Sequence, residues 1–142
     1  MKKNFRLQKV LEYRERLVDL EKNKLAEINS KLERTKLKIV EADEIINLKV
    51  EERGTADSRF RSMYDKYIKR ITNDKNMLIK LRKQLELNIE LQKKKVVEAI
   101  ERHKVMLKLK EKHVDNYRTY LNKEEMKLID ELAVTRSARN EN

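Results

Sequence analysis

The sequence predicts an all-α fold: two long helices paired as an antiparallel coiled-coil hairpin, with the turn near residues 54–58. Three observations carry this. Gly54 is the only glycine in a chain of 142 residues that has no proline. Apolar residues recur every seven positions on both sides of it. Charged residues make up 43% of the chain, a profile of long helices rather than of globular cores.

The first helix is expected over residues 4–53, roughly 75 Å at 1.5 Å per residue, with Asn4 available as its cap. Its seam is Leu11, Val18, Leu25, Leu32, Ile39 and Ile46. Arg14, Glu21 and Thr35 are polar members of the second seam line, which lower stability but help to fix register. Val10, Leu17 and Ile45 broaden the apolar stripe.

The turn follows from Gly54, which lacks the Cβ that resists left-handed dihedrals just past a helix end. Asp57 or Ser58 can then cap the second helix by accepting from its free N–H groups. Folding the chain about Thr55 sets Ile46 opposite Tyr64, Ile39 opposite Ile71, Leu32 opposite Leu78 and Leu25 opposite Leu85.

The second helix is expected over residues 58–134. Phe60, Met63, Tyr64, Tyr67 and Ile68 are more large side chains than one seam can cover. They either thicken the end of the coil or leave a docking patch, since exposed aromatics serve as binding anchors. Beyond Leu85 the seam is read through Ile89, Val96, Ile100, Leu107, Val114, Leu121 and Leu128. The steps from Gln92 to Val96 to Ile100 would be a stutter that locally unwinds the supercoil. In this register residues 107–134 overhang the first helix, and residues 137–142 form a frayed tail. All 142 residues thus make one hairpin domain, an elongated rod.

Composition excludes several classes. No apolar run is long enough to span a membrane, no apolar stretch follows the basic start as in a signal peptide, and there is no cysteine. A cytoplasmic protein is expected. Net charge is +11, with the excess concentrated after the turn: residues 1–53 hold 14 Lys and Arg against 11 Asp and Glu, and the remainder holds 22 against 14. A solvated helix face accounts for this, and an acidic protein partner comes next. Strand-binding sites interleave aromatics with cations, whereas residues 82–112, which include Lys93, Lys94 and Lys95, hold no aromatic at all.

Catalytic chemistry has no foothold. His103 and His113 are ten apart, not the i, i+4 spacing of two ligands on one helix face, and are read as solvated surface histidines. No Gly-rich phosphate loop is possible with one glycine, and a two-helix rod offers no concave site. No enzymatic activity, cofactor or metal is expected.

Both ends carry residues that resemble a family. The start reads Phe5-Arg6-Leu7-Gln8-Lys9-Val10-Leu11-Glu12-Tyr13-Arg14, and the end reads Asp130-Glu131-Leu132-Ala133 followed by Arg136. These resemble the Phe-x-Leu-Gln-x-Val-Leu-x-x-Arg and Asp-Glu-x-Ala-x-x-Arg patterns of the flagellar FliJ family. Length, two-helix layout and basic charge match as well, so the resemblance covers the whole chain.

The resemblance implies a non-enzymatic coiled-coil stalk and adaptor of the flagellar type III protein export apparatus. It implies binding to the hexameric export ATPase ring, a link from the ring to the transmembrane export gate, and escort of export chaperones. It places the protein in the cytoplasm, peripheral at the cytoplasmic face of the flagellar base. Tyr67 and Ile71, with Tyr64 beside them, resemble the gate-binding positions near the hairpin tip. On the first helix Asp43 and Asn47 depart from the aromatics expected there. The stalk analogy assigns the overhang to the ATPase ring through Val114, Leu121 and Leu128, with Tyr117 as an aromatic anchor. In the other reading of the overhang, the stripe folds back on the start of the first helix or pairs two rods. The alternatives for the whole chain are a nucleic-acid-binding arm, motivated by charge, and a self-associating structural coiled coil.

Overall fold

The computed structural model describes residues 1–141. Helix α1 spans Gln8–Thr55 and helix α2 spans Arg61–Glu141, and the two pack against each other as a hairpin without strands among the described residues. The chain divides into two compact units. One holds residues 1–18 with the part of α2 from Glu98 onward, and the other holds Asp19–Val97.

In the Asp19–Val97 unit the core is a line of side chains along each helix. Leu32, Leu85 and Ile89 form a buried cluster, and Leu25 and Ile28 pack against it. Ile39, Ala42 and Val96 are buried as well, while Ile46, Ile71 and Leu78 are half-buried. Burying an aliphatic side chain is worth about 1.5–3 kcal/mol. Thr35 is buried and satisfies its hydroxyl by donating to the Lys31 carbonyl at 2.8 Å.

The register differs from the expected one by about one heptad. Leu32 shares its cluster with Leu85 rather than Leu78, which brings Ile39 level with Leu78 and Ile46 level with Ile71. Two ion pairs follow the same offset. Arg53 Nε donates to Asp65 Oδ1 at 2.6 Å, and Lys75 pairs with Asp43. Gln92 is buried and donates its Nε2 to the Glu21 carbonyl at 3.0 Å and to the Glu21 carboxylate.

The turn explains the shift. Gly54 remains inside α1 with open space around its Cα and no left-handed dihedral. A helical glycine costs about 1 kcal/mol relative to alanine, and α1 ends at Thr55, one residue beyond it. The chain reverses around Asp57 instead. The Asp57 carboxylate accepts from the Arg59 backbone N–H at 3.1 Å and from the Arg59 guanidinium at 3.1 Å, and Phe60 N donates to the Asp57 carbonyl at 2.9 Å. The backbone bond first, then the guanidinium, holds the Asp57 carboxyl below the usual carboxylate range. Its support of the turn is therefore complete above that range and is lost as pH falls through the lower folded value.

Helix ends differ in the same local way. α1 begins at Gln8 and not at Asn4; a turn closed by Gln8 N and the Phe5 carbonyl at 3.1 Å leads into it. α2 begins at Arg61, after the Asp57 turn, and not at Ser58. It continues through residues 137–141, where no glycine or proline interrupts it. The expected frayed tail is helical that far, and Asn142 lies outside the described residues.

In the other unit Leu11, Val18 and Met106 are buried, and His103, Lys110, His113, Tyr117 and Tyr120 are half-buried. These α2 residues alternate three and four apart, continuing the spacing of Ile89, Gln92 and Val96. The expected stutter is absent. Ile100 is half-buried, but Leu107, Val114, Leu121 and Leu128 leave the seam and are 40%, 46%, 47% and 57% exposed. Arg14, on the inward line of α1, keeps its Nε buried without a hydrogen-bond partner among the described residues.

Two outcomes are expected. Cysteines placed at Leu32 and Leu85 form an intramolecular disulfide under mild oxidation, whereas cysteines at Leu32 and Leu78, offset by one heptad, lie beyond the reach of a disulfide; gel mobility without reductant reads the difference. Arg14→Leu removes an unsatisfied buried N–H, so it stabilises the chain by about 1 kcal/mol, visible as a higher midpoint of thermal unfolding by circular dichroism.

Candidate partner-binding surfaces

The first surface lies beside the turn, within the Asp19–Val97 unit. Lys49, Met63, Tyr64 and Tyr67 line a shallow open cleft. Tyr67 is 36% exposed, and Phe60 and Met63 are more exposed still. Two cations stand over the Tyr67 ring, Lys49 Nζ 5.6 Å and Arg70 Cζ 5.9 Å from its centroid. Such contacts hold an aromatic ring in place at the surface. Lys49 also donates to Glu52 at 3.1 Å, and this hydrogen bond leads the influences that raise its pKa above the usual lysine value.

Of the residues singled out at the tip, Tyr67 is exposed, whereas Tyr64 and Ile71 are half-buried on the inward line of α2. The structure places Tyr64 and Tyr67 together in one cleft, and Ile71 does not line it. A large, rigid, amphipathic ring with two cations near it can anchor an apolar partner side chain and draw carboxylates beside it.

The second surface belongs to the unit formed by residues 1–18 and α2 from Glu98 onward. Residues 1–7 form a non-helical arm against α2. The Lys3 carbonyl is 3.1 Å from His113 Nε2, and the Phe5 and His113 rings lie 5.7 Å apart, tilted by 44°. His113 is therefore a contact residue rather than a solvated histidine. Its place in the three-and-four spacing between Lys110 and Tyr117 is the signal that could have revealed this. The arm also shortens the expected overhang, because it reaches α2 as far as His113.

Lys3, Arg6, Lys9 and Lys110 line the cleft made by the arm, together with Phe5 and Val114. None of these four cations joins an ion pair among the described residues. Further along α2 the Tyr117 and Tyr120 rings approach to 6.2 Å. From Leu121 to Asn140 every residue is exposed. Val114, Leu121 and Leu128 thus form one outward line, while Tyr117 sits on the inward line beside it.

The seam residues fall inside both units: Leu11, Val18, Leu32, Ile39 and Leu85 are buried, and Leu25, Ile46 and Leu78 are half-buried. Among the described residues no group of three or more metal-ligating side chains converges, and no helix is long and apolar enough to cross a membrane.

With Tyr67 held mainly by surface contacts, Tyr67→Ala should change the unfolding midpoint little, while Ile71→Ala should lower stability by 2 kcal/mol or less, about the lower end of aliphatic-to-alanine losses; thermal melts of the two variants separate the roles.

Compared with known proteins, residues 1–142 match the family described as Flagellar FliJ protein. No curated protein and no solved structure matches the chain.

Proposed function

Because this chain belongs to the FliJ family, a non-catalytic component of the flagellar export apparatus, we propose that it is the stalk and adaptor of the export ATPase. In this reading the C-terminal part of α2 binds the ATPase ring through Val114, Leu121 and Leu128, with Tyr117 beside them. The surface at the turn binds the transmembrane export gate, with Tyr67 as anchor and Tyr64 and Ile71 supporting it. The same protein escorts export chaperones and works at the cytoplasmic face of the flagellar base.

The observation that carries the reading is the exposed apolar line on α2, of which Leu121 and Leu128 lie beyond the reach of the arm. A helix held on no side is only marginally stable in water, and packing one face supplies most helical stability in proteins. Four unpaired cations at the arm favour a ring surface rich in carboxylates. No concave catalytic pocket is needed, since an adaptor acts through side chains presented along helices.

A chain ending at Tyr120 tests this. It retains the Lys3–His113 contact and the paired tyrosines and removes Leu121 and Leu128. It should unfold at nearly the parent temperature and lose most stimulation of the export ATPase; full stimulation by the shortened chain would refute the assignment. At the turn, Tyr67→Ala should weaken gate binding by about tenfold, as loss of an anchor residue does, measured by titration against the soluble part of the gate.

A further inference from the structure

In the unit formed by residues 1–18 and α2 from Glu98 onward, the two sides of the helix pair differ. The inward line of α1 there is Leu11, Arg14 and Val18, and that of α2 is His103, Met106, Lys110 and His113. Val10, Tyr13 and Leu17 each stand one residue before the α1 line. Arg102, Val105, Leu109 and Lys112 each stand one residue before the α2 line. Both helices are right-handed and run in opposite directions, so residues just before the two lines border the same side of the pair. That side holds Val10, Tyr13, Val105 and Leu109, all exposed, with Leu17 half-buried. Leu107 and Val114 follow the α2 inward residues instead and border the opposite side, as do Glu12 and Glu15 of α1.

The charges beside these apolar residues are mostly of one sign. Outside the inward lines, the charged helical neighbours one turn away are Lys9 and Arg16 on α1 and Glu101, Arg102, Lys108 and Lys112 on α2. All are exposed, and none joins an ion pair among the described residues. Five cations thus stand against one carboxylate.

Two packed helices leave a groove along each side, and a third helix is the element that fills it. Here the floor is apolar and both walls carry cations, which selects the occupant. The phosphates of a nucleic acid would leave valine and leucine without contacts. A flat lipid surface would not follow a groove between helices. A helix with an apolar line and carboxylates on either side of it meets both the floor and the walls. The stretch from Arg102 to Lys112 is about 15 Å at 1.5 Å per residue, close to three turns of a partner helix.

We propose that this side of the unit docks an acidic amphipathic helix of a partner protein. Tyr13 and Val105 contact its apolar line, and Arg16, Lys108 and Lys112 face its carboxylates. The groove is separate from the surfaces assigned to the ATPase ring and the gate, and its occupant does not depend on those assignments.

The probe is a fluorescein-labelled peptide of about 18 residues, long enough to hold a helix. It carries leucine every three or four positions, glutamate beside each leucine and alanine elsewhere. Titrated with the full chain, it should bind and gain helical signal, and added salt should weaken the complex. Tyr13→Ala should weaken it about tenfold, as loss of an anchor does, and Lys108→Glu about fivefold. Lys38→Glu makes the same change in net charge at an exposed position of the other unit and should leave the affinity unchanged. All three positions are exposed, so the variants should melt with the parent.

No binding by the parent overturns the proposal. So does an equal loss from Lys38→Glu, or equal binding of a peptide with glutamine in place of glutamate. Phosphatidylglycerol vesicles bound by the parent and released by Tyr13→Ala would put a lipid surface in the groove. A parent that sediments as a dimer, with a Tyr13→Ala chain that sediments as a monomer, would put a second copy there. Either result also overturns the proposal. The export ATPase and the gate are absent from every arm, so a failure of the stalk assignment would leave these readouts unchanged.

Discussion

The buried contact between Gln92 and Glu21, with the pairs Asp43–Lys75 and Arg53–Asp65, determines how one helix lies against the other. A seam that repeats every seven residues fits its partner equally well after a slide of seven. Burial of leucine and isoleucine thus supplies the strength of the hairpin but cannot choose the register. Gln92 is withdrawn from water, must find a partner or cost free energy, and finds it at Glu21, while the partly exposed pairs Asp43–Lys75 and Arg53–Asp65 lie in the same alignment and add little strength. With that choice goes the burial of Leu85 and Ile89 beside Leu32.

Much of the fold was legible in the sequence because it depends on repetition. Two long helices, a reversal near residues 54–58, and the α1 line from Leu11 to Ile46 all follow from period and composition. The register was not legible, since the strongest signal is the one a heptad slide leaves unchanged. The glycine was also a poor guide. A glycine in the last turn of α1 carries only a modest penalty, while the aspartate three residues later makes the bonds that reverse the chain. Beyond Val96 the larger apolar residues drew attention to Leu107 and Val114, yet the three-and-four spacing runs through Met106, Lys110 and His113. Spacing outranked hydrophobicity there, because a helix turns by a fixed angle whatever side chains it carries.

The surfaces were legible in part for a related reason. The crowding of aromatics after the turn was visible, as was the apolar line of the C-terminal half. The two cations around Tyr67 come from different helices, and no pattern within one helix joins them. The arm was invisible for the same reason. Phe5 and His113 are distant in sequence and ordinary in type, and only folding brings a tilted ring pair and a carbonyl contact together. A protein that works by presenting side chains along helices has its candidate sites at the margins of its own core.

The arm also bears on how this protein can be handled. Among the described residues, residues 1–7 are the one stretch outside the turn that is not helical, and Lys3 and Phe5 hold them to His113. Any sequence fused directly before Met1 would emerge beside that contact and among four cations that join no ion pair among the described residues. An acidic purification tag placed there would settle on those charges. A fluorophore or affinity handle is better carried on the outward side of α1, at an exposed position such as Lys38 or Glu41, where the paired helices leave room for it.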